Sequence, residues 1–295
     1  MTVAGREAEV LSSTLVPDRT NDGSYTINIR IPAGTPVGNH PVILSIGGQS
    51  SNTEMLRVAD VVIRSAATGL ERSGAPESIF SAYGCASSLA TVETAADARM
   101  PPNELGGTTV RLRDSAGVER LAPILYASPN QLNYIIPPGA ANGPATISIT
   151  SADGAVATAA IQIDSIAPSL FTVSSYPAAL VVRIRDGVQT VEPLVRTRNG
   201  GIESAPIDFG PESDHVYLVL FGTGIRGRTS LAAVRTTIDG VDAPVEYAGP
   251  QGEYAGLDQV NVRLPRALAG RTWDLLELLL TVDGQVANEV YLAFK

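Results

Sequence analysis

One pattern occurs three times in this chain and restricts its fold more than any other feature. Thr26 to Val58 reads TINIRIPAGTPVGNHPVILSIGGQSSNTEMLRV. Gln131 to Ile163 reads QLNYIIPPGAANGPATISITSADGAVATAAIQI. Gln259 to Phe294 reads QVNVRLPRALAGRTWDLLELLLTVDGQVANEVYLAF. Each copy runs apolar residue, Asn, three strand residues, Pro; a Gly, an alternating strand, a Gly turn and a last alternating strand follow. A self-similar segment of this length is one supersecondary unit used repeatedly. Short alternating strands punctuated by Gly, Pro and Asp turns predict an all-β fold of tandem immunoglobulin-like antiparallel β-sandwiches.

The pattern also divides the chain. Thr2 to Leu15 aligns with residues 237–250, yet nothing before Met1 matches the apolar strand Val216 to Phe221. Residues 1–58 therefore read as a partial unit, the second half of a preceding copy. Residues 59–165 read as a complete sandwich, and 166–295 as another with an extra N-terminal hairpin, Ala179–Arg185 and Val188–Val195 around Asp186-Gly187. Half a sandwich leaves apolar faces and strand edges uncovered, so self-association through the incomplete first unit is expected. Residues 91–104 read as a polar loop with a helical turn in its Ala-rich part. Ala167 to Phe171, APSLF, reads as a short stiff joint whose Leu170 and Phe171 plug the space between units.

Composition narrows the function. Of 295 residues, 44% are hydrophobic and 17% charged, which suits a globular chain with sizeable cores. A net charge of −9 argues against nucleic acid, whose binding replaces counterions with Lys and Arg. Aromatics are 5%, which weighs against an aromatic platform for sugars or bases. No apolar run approaches the ~20 residues that span a bilayer, so membrane insertion is not expected. The first 14 residues lack the basic region and apolar core of a signal peptide, and the chain reads as a fragment of a longer secreted protein.

Specific chemistry is hard to find. The lone Cys85 reads as a small buried residue, since a nucleophile needs a base and neither His40 nor His215 is near it in sequence. Gly222-Thr223-Gly224-Ile225-Arg226-Gly227 matches a dinucleotide fingerprint, but no helix has room to follow; the stretch reads as a Gly-rich corner. Asp-Gly pairs at 22, 153, 186, 239 and 283 read as hairpin turns, not calcium loops, which need clustered oxygens. Glu203, Asp208, Glu212 and Asp214 read as a solvated loop. The repeat positions Asn28, Asn133 and Asn261 read as structural, each amide bonded to loop backbone. No cofactor or metal site and no catalytic residue is expected; GxSxG, HExxH and CxxC are absent, and no carboxylate pair stands out for glycoside hydrolysis.

Several stretches, in order, carry a family resemblance: SIFSAYGCASSLA (78–90), ELGGTTVRLRDSAG (104–117), APILYASPNQLNYIIPPG (122–139), APSLF (167–171), VLFGTGIRG (219–227), and EYAG with LDQVNVRLP (246–265). Residues 62–295 resemble the uncharacterised C-terminal domain family first noted in Solibacter and abundant in acidobacterial secreted proteins. The resemblance implies immunoglobulin-like units and an extracellular or cell-surface location, and supplies no catalytic residues. The YGC at 83–85 and the half copy in front depart from it. The reading that follows is a non-catalytic surface module presenting loops or a sheet face to a protein or polysaccharide partner. The alternatives are a carbohydrate-binding module and an enzyme with a site between the complete units.

Overall fold

The chain is seen in a computed structural model that describes all residues except 16–24, 33–34, 37, 59–60, 85–88, 175, 199 and 272–274. Cys85, Trp273 and the Asp22-Gly23 pair lie outside the described residues. The architecture is all-β, built of antiparallel sheets; among the described residues the helical elements are two short 3-10 turns, Leu231–Ala233 and Arg266–Leu268.

The first segment holds β1 (Thr2–Val3), β2 (Arg6–Glu7), β3 (Glu9–Leu15), β4 (Tyr25–Arg30), β5 (Gly38–Ile43), β6 (Ser45–Ile46), β7 (Gln49–Ser50) and β8 (Glu54–Val58). Its sheet order is β2-β1-β5-β8, with β3-β4 and β6-β7 as separate pairs. Its apolar residues are thinly covered. Among the described residues before Val61, Val3 and Ala8 are the buried apolar ones, while Val10 is 46% and Ile46 70% exposed. Among the described residues, neither hydrophobic core includes one before Val61.

The second segment holds β9 (Val61–Ser65), β10 (Ile79–Gly84), β11 (Thr94–Ala95), β12 (Glu104–Leu105), β13 (Thr108–Arg113), β14 (Glu119–Leu121), β15 (Ile124–Ala127), β16 (Gln131–Ile135), β17 (Gly143–Thr150) and β18 (Val156–Ile163). One sheet runs β11-β15-β16-β10-β9, the other β12-β13-β17-β18 with β14 beside β13. Period-2 alternation puts one side of each strand inward. Phe80, Leu132 and Tyr134 of the first sheet meet Leu112, Ile147 and Ile149 of the second in one core. The expected helical turn in 91–104 is absent: Thr94–Ala95 pairs with β15 and a turn from Asp97 to Met100 follows. Edge pairing to an already formed strand outcompetes a helix too short to nucleate.

The third segment holds β19 (Ser169–Leu170), β20 (Thr172–Val173), β21 (Tyr176–Pro177), β22 (Ala179–Arg185), β23 (Val188–Pro193), β24 (Val195–Arg198), β25 (Gly201–Ser204), β26 (His215–Thr223), β27 (Val234–Ile238), β28 (Val241–Ala243), β29 (Val245–Pro250), β30 (Asp258–Arg263), β31 (Leu275–Val282), β32 (Gln285–Val286) and β33 (Val290–Ala293). The sheet β23-β22-β26-β30-β29, with β19 beside β26, faces the sheet β28-β27-β31 with β32 and β33. Leu218, Leu220, Val260 and Val262 meet Ile238, Leu278, Leu280 and Leu292 between them. Asp186-Gly187, Asp239-Gly240 and Asp283-Gly284 have positive φ at both residues, the two-residue hairpin geometry expected for these turns.

The joint differs from expectation. Leu170 is fully buried in the core of the third segment instead of plugging the space between segments, because Ser169–Leu170 pairs with Gly222–Thr223 and becomes part of that sheet. The loop between β29 and β30 and the end of β26 make contacts with the second segment. Ala255 N–H donates to Ala98 O at 2.9 Å, Arg99 bonds Glu253 and lies 5.4 Å from the Tyr254 ring centre, and Thr223 Oγ1 accepts from Ile79 N–H at 2.9 Å.

The absence of the first segment from both cores leads to an expected result. Removing residues 1–58 should shift the melting temperature of the remainder by no more than about 2 °C, equivalent to under ~1 kcal/mol for a chain of this size. Differential scanning calorimetry on the shortened chain checks it. A fall several times larger would show that the first segment braces the second.

Candidate binding face

The repeat has a three-dimensional signature that its sequence does not display. In every copy the strand preceding the Asn-bearing strand carries one extra residue. Val10 pairs with Ile29 and Ser12 with Asn28; Ile124 pairs with Tyr134 and Tyr126 with Asn133; Val245 pairs with Val262 and Tyr247 with Asn261. Leu11, Leu125 and Glu246 are the bulged residues. A bulge reverses which face the following side chains use, so it aims one residue at the Asn on the outer face. That residue is tyrosine in both complete units.

Asn133 and Asn261 point outward, since their neighbours Leu132, Tyr134, Val260 and Val262 are buried in the cores. The expected loop-backbone partners are replaced by side chains of the same face. Asn133 Oδ1 accepts from Ser81 Oγ at 2.8 Å and Gln131 Nε2 at 3.0 Å, Asn261 Oδ1 accepts from Gln259 Nε2 at 2.8 Å, and Asn28 Nδ2 donates to Ser12 Oγ at 2.8 Å. The reason is geometric: a residue in mid-strand lies among its cross-strand and i±2 neighbours, out of reach of the loops. In the third unit this leaves Asn261 Nδ2 and Gln259 Oε1 without a hydrogen-bond partner among the described residues.

Tyr247 stands opposite Asn261 on this face. Its hydroxyl donates to Pro250 O, and a Cβ placed on Gly249 would sit 3.2 Å from that hydroxyl and 3.5 Å from the ring. The phenol end of the side chain therefore packs beside a glycine, and 37% of the residue remains exposed. Tyr126 takes the matching place in the second unit, its hydroxyl donating to Glu93 Oε1 at 2.8 Å. Around Tyr247 the outer face is mixed: Val219 pairs with Asn261 and Leu180, while Tyr217 pairs with Arg263 and Val182. The short sequence Ala-Pro-x-x-Tyr-Ala, at 122–127 and 243–248, marks both tyrosines. This signal lies ahead of the Asn-bearing strands, outside the most regular part of the repeat.

The same face ends in a cleft of about 370 Å3 lined by Phe209, Glu212, His215, Arg263, Pro265 and Arg266, with Asp214 at its back. The acidic loop is not uniformly solvated. Asp214 is fully buried, bound by Arg183 at 3.0 Å and Arg185 at 2.7 Å. Hydrogen bonding from Arg185 and Arg183 overcomes burial and pulls its carboxyl down to about 2. Glu203 pairs with Arg196, and Asp208 with Lys295. Arg266 donates to the carbonyl oxygens of Phe209, Gly210 and Asp214 at 3.1, 3.2 and 3.2 Å, and also to Pro211 O. Each acid is matched to a cation on a neighbouring strand or terminus, except Glu212 on the rim. Among the described residues, no group of three or more His, Cys, Asp and Glu could hold a metal ion.

The Gly-rich stretch is a corner whose donors are already taken. Asp258 Oδ2 accepts from Ile225 N–H at 2.7 Å and Arg226 N–H at 3.2 Å, and Oδ1 accepts from Arg226 Nε at 2.7 Å. These backbone groups are the ones a phosphate would need. Burial pushes the Asp258 carboxyl upward, against the pull of Arg226 and the two N–H groups. Arg226 also reaches Glu77 of the second unit at 3.0 Å.

No family model matches this chain, and no curated protein matches it. Among solved structures it is similar to the mixed-linkage glucan utilization locus SGBP-B of Bacteroides ovatus in complex with a mixed-linkage heptasaccharide. The identity is 13% over 100% of this chain and 59% of that chain, with a TM-score of 0.35. The present chain thus spans 59% of that protein's length. At this identity and score the likeness has no bearing on what the present chain binds. Among the described residues, no helix is long and apolar enough to cross a membrane.

Proposed function

We propose that this chain is a non-catalytic module of an extracellular or cell-surface protein that holds a polysaccharide against the outer faces of its two complete units. The observation that carries this reading is the exposed Tyr247, brought by a bulge to the outer face opposite Asn261, with Asn261 Nδ2 and Gln259 Oε1 free to meet a ligand beside it. A flat aromatic ring offers an apolar surface to the C–H face of a pyranose, and adjacent amides meet its equatorial hydroxyls. Tyr126 with Asn133 and Gln131 repeats the arrangement in the second unit. Two such places on one chain suit a ligand that is itself a repeat, because the second contact becomes intramolecular. Asp214, the buried carboxylate of the cleft, is taken up by Arg183 and Arg185, which leaves the ligand-facing part of the cleft to other side chains.

Affinity electrophoresis of the full chain in gels containing neutral and acidic polysaccharides tests the proposal. Tyr247→Ala and Tyr126→Ala should each weaken retardation by at least about tenfold in apparent affinity, ~1.4 kcal/mol, and the double variant should migrate as in a gel without polysaccharide. Circular dichroism on the variants confirms that the sandwich persists. Full retardation by the folded double variant, or none by the native chain with any polysaccharide tried, would refute the assignment of this face.

A further inference from the structure

We infer that the polysaccharide is acidic, and that a uronate carboxylate is received in the cleft at the end of the third unit's outer face. This deepens the polysaccharide reading and rests on it. Gln259, Asn261 and Arg263 alternate along β30 and share the outer face with Tyr247 and Tyr217. A chain bound across Tyr247 and the amide pair that continues along β30 arrives at Arg263, which lines the cleft.

The charges there are arranged unevenly. The negative charge of Asp214 is consumed by Arg183 and Arg185, and Arg183 also holds Glu192 at 2.9 Å. The guanidinium of Arg266 is turned onto the carbonyls of Phe209, Gly210 and Asp214 and lies 6.0 Å from the Phe209 ring centre. Arg263 is exposed and its guanidinium has no ion pair or hydrogen bond among the described residues; His215 beside it is exposed and likewise without a side-chain partner. Glu212 is the acid left on the rim. In a chain of net charge −9, this cleft is edged by an unpaired guanidinium and an imidazole against one free acid, Glu212. A guanidinium meets a carboxylate with two parallel N–H donors, a geometry a neutral hydroxyl cannot use fully. The cleft volume of about 370 Å3 falls within the ~300–1,000 Å3 of ligand sites, at the small end suited to one sugar unit.

The test compares polygalacturonate, a neutral mixed-linkage β-glucan and dextran sulfate, using the full native chain, Arg263→Ala and Tyr247→Ala by isothermal titration or affinity electrophoresis. Polygalacturonate should bind more tightly than the neutral glucan, and added salt should weaken it. Arg263→Ala should weaken polygalacturonate at least about tenfold while changing neutral glucan less than about twofold. Tyr247→Ala should weaken both. Neutral glucan bound as well as polygalacturonate, with Arg263→Ala without effect, would overturn the acidic-sugar inference and leave the polysaccharide reading intact. Dextran sulfate bound as tightly as polygalacturonate, with the same loss in Arg263→Ala, would overturn uronate recognition in favour of a site for any polyanion. Binding of none of the three would refute both readings together.

Discussion

Replacing Asp258 with alanine should destabilise the chain by about 3–5 kcal/mol, the cost of stripping one partner from a buried ion pair. Asp258 is fully buried and receives three donors, one of them the Arg226 Nε. In the variant the Arg226 side chain, only 13% exposed, keeps Glu77 and the Leu257 carbonyl but loses the carboxylate that faces it inside the corner. The Ile225 N–H, within a fully buried residue, is left without its acceptor. Leaving the Arg226 Nε and two backbone N–H groups without their acceptor costs more than those bonds contributed net, so the loss exceeds that of an exposed ion pair such as Arg99–Glu253, ~0.2–1 kcal/mol. Asp258→Asn keeps the shape and one acceptor and should lose less. Urea unfolding of the three proteins decides it. A change below ~1 kcal/mol for the alanine variant would mean that the corner is held by strand pairing alone.

Gly224→Ala should cost at least about 3 kcal/mol. Gly224 has φ +73°, and a Cβ there would lie 2.3 Å from Ala167 O and 2.9 Å from its carbonyl carbon. The left-handed conformation alone costs a residue with a Cβ roughly 1–2 kcal/mol. The rest comes from pushing aside a backbone segment that is itself tied down, since Ala167 N–H donates to Gly224 O at 3.1 Å and Ser169–Leu170 pairs with β26. Gly252→Ala is the matched control: φ is +97° but nothing lies within 4 Å of the new Cβ, so its cost should stay near ~1 kcal/mol. Thermal unfolding separates them. Equal losses would show that backbone conformation, and not contact with the APSLF segment, selects glycine at 224. The glycines that mimic a nucleotide fingerprint are thus accounted for by a strand crossing close to a neighbouring chain segment.

The candidate face shows why so little function could be read along the chain. Aromatics are 5% of the residues, and the average concealed that Tyr126 and Tyr247 occupy the same place beside the same Asn. Their common setting, Ala-Pro-x-x-Tyr-Ala, is short and lies outside the segment in which the repeat is most regular. The Asn positions stood out as repeated, but their partners did not. Whether an Asn meets a loop carbonyl or a neighbouring amide depends on which side of the pleat it occupies, and one bulged residue in another strand settles that. Asp214 and Arg263 belong to the same class of hidden information. Asp214 sits in a loop that reads as polar and solvated, yet it is buried because Arg183 and Arg185 come to it from a strand some thirty residues earlier.

The sequence by itself determined the all-β class and the Asp-Gly hairpins. Those features depend on neighbours within a few residues: alternation with period two selects a strand with one buried side, and Asp-Gly tolerates two consecutive positive φ angles. Only the tertiary structure decided what stands beside what. Tyr247 meets Asn261 through a bulged register, Asp258 fills the Gly-rich corner, Leu170 joins a core and not a joint, and Arg263 is left without a counter-ion at the mouth of a cleft. These outcomes depend on pairings between distant strands. A register offset of one residue exchanges every inward side chain for an outward one, and no local pattern records that choice.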